Sequence, residues 1–128
     1  MAGRVVHFEI PYDDGDRARA FYEKAFGWQL MTIPEMDYTM VTSGPTGDQG
    51  PSEAGFINGG MRQREEPFTG SNVVIDVDDI EDALKAVGDA GGSTVMERQP
   101  VGDMGFTAYV KDSEGNIVGL WESATPTG

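Results

Sequence analysis

The hydrophobic and polar positions of this chain change period in a regular order. In "RVVHFEI" Val6, Phe8 and Ile10 alternate with Val5, His7 and Glu9, a period of two that predicts a strand. Asp13, Asp14 and Asp16 then offer side-chain acceptors for the free amides of a helix start. In "RARAFYEKAFG" the apolar residues Ala18, Phe21, Tyr22 and Ala25 fall at i, i+3, i+4 and i+7, one face of a helix. Gly27 ends it, since glycine takes the left-handed conformation that closes helices.

The same order returns later. "NVVIDVDD" alternates Val73, Ile75 and Val77 with Asn72, Val74 and Asp76, and Asp79 is the cap candidate. Ile80, Ala83, Leu84 and Val87 repeat the helical stripe, which Gly91 and Gly92 stop. The two stretches match at one offset of 65 residues (72 − 7). Ile10 meets Ile75, Asp13 and Asp14 meet Asp78 and Asp79, Ala18 meets Ala83, Ala25 meets Ala90, Gly27 meets Gly92 and Met31 meets Met96. Identities at one offset, in the same strand-cap-helix-stop order, indicate an internal duplication.

After each helix come apolar runs separated by turn residues. They are "WQLMTI", "DYTMVTS" and "AGFINGGM" in the first half, and "STVMER", "GFTAYVK" and "NIVGLWE" in the second. Each half therefore reads as βαβββ. The predicted organisation is one domain over 1–128, with a first unit over 3–61, a linker over 62–69 and a second unit over 70–123. "SGPTGDQGPSE", rich in Gly and Pro, predicts a mobile loop, and the tail "ATPTG" is expected to fray.

Charge and composition narrow the partners. The 22 acidic residues outnumber the 9 basic ones, giving a formal charge of −13. That field repels phosphate backbones and argues against nucleic acid as a partner. There is no cysteine, so disulfides and thiolate-bound zinc are excluded. No apolar run approaches the length of a membrane span, and no signal-peptide pattern opens the chain, so a soluble cytoplasmic protein without a membrane partner is expected. "DVDDIED" lacks the glycine and terminal glutamate of a calcium loop and reads as a helix cap.

A tandem βαβββ repeat marked by "HFEIPYDDGDRARAFYEKAFGW", "VIDVDDIEDALKAVGDAGG" and "KDSEGNIVGLWE" resembles the glyoxalase/bleomycin-resistance/dioxygenase superfamily, also called vicinal oxygen chelate. The resemblance spans nearly the whole chain. It implies an α+β fold in which tandem βαβββ repeats form a curved mixed sheet around a cup, with the helices outside. Proteins of this size in that family commonly form homodimers, which is the expectation here.

His7 is the only histidine. If Phe8, Ile10, Val73, Ile75 and Val77 pack under the helices, alternation turns His7, Glu9, Asn72, Val74 and Asp76 to the opposite face, inside the cup. The resemblance implies metal ligands on the first strand of each half and a carboxylate on the last. Carried over, these positions are His7, Asn72 and Gly119, and aligning "GFINGGM" with "GNIVGLW" gives Gly59 as the first-half counterpart of Gly119. One imidazole, one amide and two glycines do not make a divalent-metal site. Glu122 lies an odd number of residues beyond Gly119 and points out of the cup. Glu9 or Asp76 recruiting a metal with His7 is the alternative.

Met61 and Trp121 share alternation with Gly59 and Gly119 and complete the expected pocket lining, with Tyr38, Met40, Thr107 and Tyr109 as further candidates. Ordinary core packing is the competing reading for each of these apolar side chains. His7 and Glu9 are the candidate catalytic pair, with the carboxylate expected to raise the imidazole pKa. Hydrogen bonding to neighbouring strands is the competing reading. The expected function is binding of a small organic molecule in the cup, with the metal site degenerate and no cofactor. The alternative is an enzyme of the same superfamily (lyase, isomerase or dioxygenase), with divalent metal held by non-standard ligands or metal-free through His7 and Glu9.

Overall fold

The computed structural model describes residues 3–48 and 50–124. The last four residues of the tail expected to fray lie outside them. The described chain divides into two compact units, one from His7 to Ser71 and the other comprising residues 3–6 with the chain from Asn72 onward.

The first unit takes β1 (Val5–Tyr12) from His7 on, α1 (Gly15–Phe26), β2 (Gln29–Ile33), β3 (Tyr38–Thr42) and, beyond a loop, β6 (Asn58–Gln63). That segment, expected to be a mobile loop, holds a short antiparallel ladder of two-residue strands, β4 (Thr46–Gly47) with β5 (Gly50–Pro51). In the unit's sheet the order is β2-β3-β6-β1, with β1 and β6 parallel and the other pairs antiparallel. The second unit repeats this plan. β7 (Asn72–Asp76), α2 (Ile80–Asp89), β8 (Ser93–Val101), β9 (Gly105–Lys111) and β10 (Ile117–Ser123) pair in the order β7-β10-β9-β8, with β7 and β10 parallel. The βαβββ reading of each half is the observed element order.

The helix caps act as read, whereas in the α1 stripe Ala18 and Tyr22 pack on the core and Phe21 and Ala25 are exposed. Of three candidate caps for α1, Asp14 accepts from the Arg17 amide at 3.0 Å, and Gly27 closes the helix at φ 72°. Asp79 does the same for α2, accepting from the Asp82 amide at 3.0 Å. Each unit has one core beneath its helix. In the first, Tyr12, Val41 and Met61 are buried with Phe8, Ile10, Ala18, Tyr22, Trp28 and Leu30 around them. In the second, Ile80, Ala108, Val110 and Leu120 are buried against Ile75, Val77, Ala83, Leu84 and Val87. Val73, expected under the helix, is instead 41% exposed. β6 runs to Gln63, two residues into the segment read as linker, and Phe68 farther along that segment is buried.

One expectation needs correction. Gly59 is in register with Phe8, and Met61 with Ile10, so both lie on the helix-facing side of the sheet. Met61 is fully buried there. They are not pocket residues. The position on the opposite face is Gly60, in register with Glu9. In the second unit Gly119 pairs with Val74, so Gly60 rather than Gly59 is the counterpart of Gly119, at an offset of 59 (119 − 60). Met61 then corresponds to Leu120, and both are core residues. The motif alignment slipped by one residue, which in a strand exchanges the two faces.

Candidate functional site

The helix-free face of the first unit carries a connected polar group. His7 and Glu9 are alternate residues of β1 and project to the same side. Tyr38 begins β3, two strands away, and reaches back across β6. Its path crosses Gly60, where a β-carbon would collide with the Tyr38 hydroxyl and the ring carbon that bears it. Glycine at this position is therefore what lets the tyrosine lie down. The phenol oxygen stands 2.9 Å from His7 Nε2 and donates to Glu9 Oε2 at 3.0 Å. The imidazole and phenol rings are nearly parallel, their planes 15° apart. Glu9 is buried, with 5% of its surface exposed, and His7 is half-buried.

The electrostatics depart from expectation in one respect. The Glu9 carboxylate does pull the His7 pKa upward, but burial of the ring is the larger influence and holds the imidazole below its usual value. Burial thus favours the neutral form of the His7 imidazole.

The equivalent positions of the second unit lack this chemistry. Asn72, Val74 and Thr107 stand where His7, Glu9 and Tyr38 stand in the first. Asn72 and Val74 are both buried. Gly119 faces the Val74 side chain and the Tyr109 ring, which would crowd a β-carbon there. Trp121 is in register with Asp76 and Thr107, on the same face as Gly119, and its indole covers Gly105. Asp76 is partly exposed, with its backbone paired to residues 3 and 4.

Glu122 lies on the helix side, as its parity requires. Its Oε1 accepts from the Ile80 amide at 2.9 Å and its Oε2 meets Arg98 at 3.2 Å. The Ile80 amide first, then Arg98, hold this carboxyl below the usual range. Sequence reasoning named Tyr38 as a lining candidate but not as the bridge between His7 and Glu9. The available signal was the consecutive pair Gly59-Gly60, one of which had to face the polar side. Among the described residues, no group of three His, Cys, Asp or Glu side chains is placed to hold a metal ion, and no helix is long and apolar enough to cross a membrane.

Comparison with known proteins agrees with this architecture. A family model described as bleomycin resistance protein-like N-terminal matches residues 4–44. A glyoxylase-like domain-containing protein of Didymella fabae is 32% identical over 122 residues, covering 91% of each chain. A putative glyoxylase of Mycobacterium bovis is 27% identical over 119 residues, which are 90% of this chain but 44% of that longer protein. Among solved structures, a Streptomyces coelicolor methylmalonyl-CoA epimerase in complex with 2-nitronate-propionyl-CoA superposes with a TM-score of 0.66 at 16% identity, covering 100% of this chain and 99% of that one. A glyoxalase/bleomycin resistance protein/dioxygenase superfamily member from Vibrio splendidus gives 0.64 at 18% identity, covering 96% and 99%. These structural likenesses speak for the fold.

Proposed function

The chain belongs to the glyoxalase/bleomycin-resistance/dioxygenase superfamily, and from that premise we propose that it binds a small organic molecule at the His7, Glu9 and Tyr38 face without a resident divalent metal. The observation that carries this reading is the Tyr38 hydroxyl standing between His7 Nε2 and Glu9 Oε2. The two side chains best suited to hold a metal are each hydrogen-bonded to one phenol.

The donor set at the family's metal positions also fits a metal poorly. His7 has Nε2 engaged, Asn72 offers an amide, and Gly60 and Gly119 offer no side chain. Catalytic metal sites take three protein ligands, and amides bind transition metals weakly. A half-buried imidazole beside a tyrosine and a buried carboxylate gives an organic ligand a few fixed polar anchors. We further read the protein as a cytoplasmic homodimer. Phe21, Phe26 and Met31, on α1 and the edge strand β2, are 56%, 64% and 64% exposed, and apolar surface of this kind favours a partner.

The test is elemental analysis and native mass spectrometry of protein purified without chelator. The expected result is no stoichiometric zinc, nickel, manganese or iron, and a co-purifying organic species or none. A stoichiometric metal that disappears in His7→Ala overturns the reading. Light scattering showing a strict monomer at micromolar concentration removes the dimer.

A second reading, metal-free acid/base catalysis, is favoured by the same hydrogen-bond chain, since it links an imidazole to a buried carboxylate through one phenol. Proton exchange into deuterated solvent at an acidic carbon of a trial ligand, lost in His7→Gln, distinguishes catalysis from binding.

A further inference from the structure

We propose that Tyr38 and Glu9 are positioning residues that fix His7 as a hydrogen-bond acceptor, so that the ligand of this site is a neutral or cationic molecule presenting an O–H or N–H donor to His7 Nδ1. This rests on the reading above that the face binds an organic ligand, and it specifies that ligand's chemistry.

The argument is a count of protons. A phenol has one, and Tyr38 gives it to Glu9 Oε2. The tyrosine oxygen is then an acceptor towards His7, and the 2.9 Å contact requires the proton to sit on Nε2. A neutral imidazole has one N–H, so its other nitrogen, Nδ1, carries a bare lone pair. Nδ1 makes no hydrogen bond to the described residues, whereas every side-chain nitrogen or oxygen sealed from solvent among them has a partner. Nδ1 therefore opens outward. An anionic group brought to it would find no proton to accept. It would also approach the buried carboxylate of Glu9, with a formal charge of −13 on the whole chain. A hydroxyl or amine N–H finds a preset acceptor.

His7 is the only histidine, so its two ring nitrogens give unambiguous NMR signals in protein carrying 15N-labelled histidine. In the ligand-free protein at neutral pH, the expected pattern is a protonated Nε2 and a bare Nδ1. Tyr38→Phe is expected to shift it towards a mixture of both tautomers. Phenol, anisole and benzoate then serve as probes of similar size. Phenol, a neutral donor, is expected to move the Nδ1 resonance, while anisole, which has no donor, and benzoate, an anion, leave it in place. A proton on Nδ1 in the ligand-free protein overturns the inference, as does benzoate moving Nδ1 as far as phenol. Phenol moving nothing overturns the ligand class, yet leaves the function proposed above standing if an organic molecule co-purifies. A stoichiometric metal that abolishes the Nε2–H signal overturns that function instead.

Discussion

A β-carbon added at Gly60 would collide with the hydroxyl end of the Tyr38 side chain. The two residues occupy neighbouring strands, β6 and β3, and one lies down because the other has no side chain. Gly60→Ala is therefore expected to push Tyr38 off His7 and Glu9 and to destabilise the protein by about 1–3 kcal/mol, the usual cost of overpacking. In a Tyr38→Ala background the same change should be nearly neutral. Chemical denaturation of the four proteins of this cycle measures the coupling. Additive losses would show that the two side chains do not compete for one space.

Tyr38→Phe keeps the ring and removes the hydroxyl that donates to the buried Glu9. Loss of a donor to a buried acceptor costs roughly 1–3 kcal/mol. Tyr38→Phe combined with Glu9→Leu should recover part of this, because the acceptor is then gone as well. A double variant less stable than Tyr38→Phe would mean that Glu9 is held mainly by other partners.

Met61 belongs to the core and not to the polar face. It is fully buried under α1 with Ile10 and Tyr12. Met61→Ala should cost about 2–5 kcal/mol and leave the His7 nitrogen signals in place. A variant of unchanged stability with displaced His7 signals would return Met61 to the polar face.

The pH dependence of stability has a definite sign at His7. Burial sets its folded value below the ordinary 6.5, against the opposing pull of Glu9. Between the folded and unfolded values it is the unfolded chain that binds the extra proton. Stability thus falls as pH drops through about 6.5 and levels off once the folded imidazole also protonates. Wild type should lose more stability than His7→Gln on going from about pH 7 to about pH 5. Equal losses in the two proteins would show that the folded imidazole titrates normally.

Glu122 has the opposite dependence. Its folded value is depressed by the Ile80 amide and Arg98, so its contribution is present above its ordinary 4.5 and is lost as pH falls through the folded value. Glu122→Gln should cost about 1 kcal/mol near neutral pH, the range of a helix cap, and little in acid. A deficit unchanged by acidification would assign the loss to packing.

Much of this was legible in the sequence because two periodicities and two sets of caps agree. Asp14, Gly27 and Asp79 mark the helix ends where they occur, and Phe8, Ile10, Ile75 and Val77 mark the covered faces. The last strand was misread for a definite reason. Aligning "GFINGGM" with "GNIVGLW" by their glycines equated Gly59 with Gly119, whereas equating the buried Met61 with Leu120 gives the observed register. Glycines carry no hydrophobicity, so they cannot report which face they occupy. The bridging role of Tyr38 was beyond pattern reading, since it depends on a ring crossing an intervening strand. The direction of the His7 shift was missed because adjacency to Glu9 is visible along the chain, while the depth of burial is not.

The close approach of Tyr38 to Gly60 also constrains history. Position 60 is the first-half counterpart of Gly119, and no side chain fits there while the phenol occupies its space. A substitution that places a carboxylate at this position must first give up Tyr38, and with it the contact to His7. The reverse order passes through an intermediate with two groups in one volume. The pair acts as a ratchet, making one direction of change easier than the other without any change in the fold.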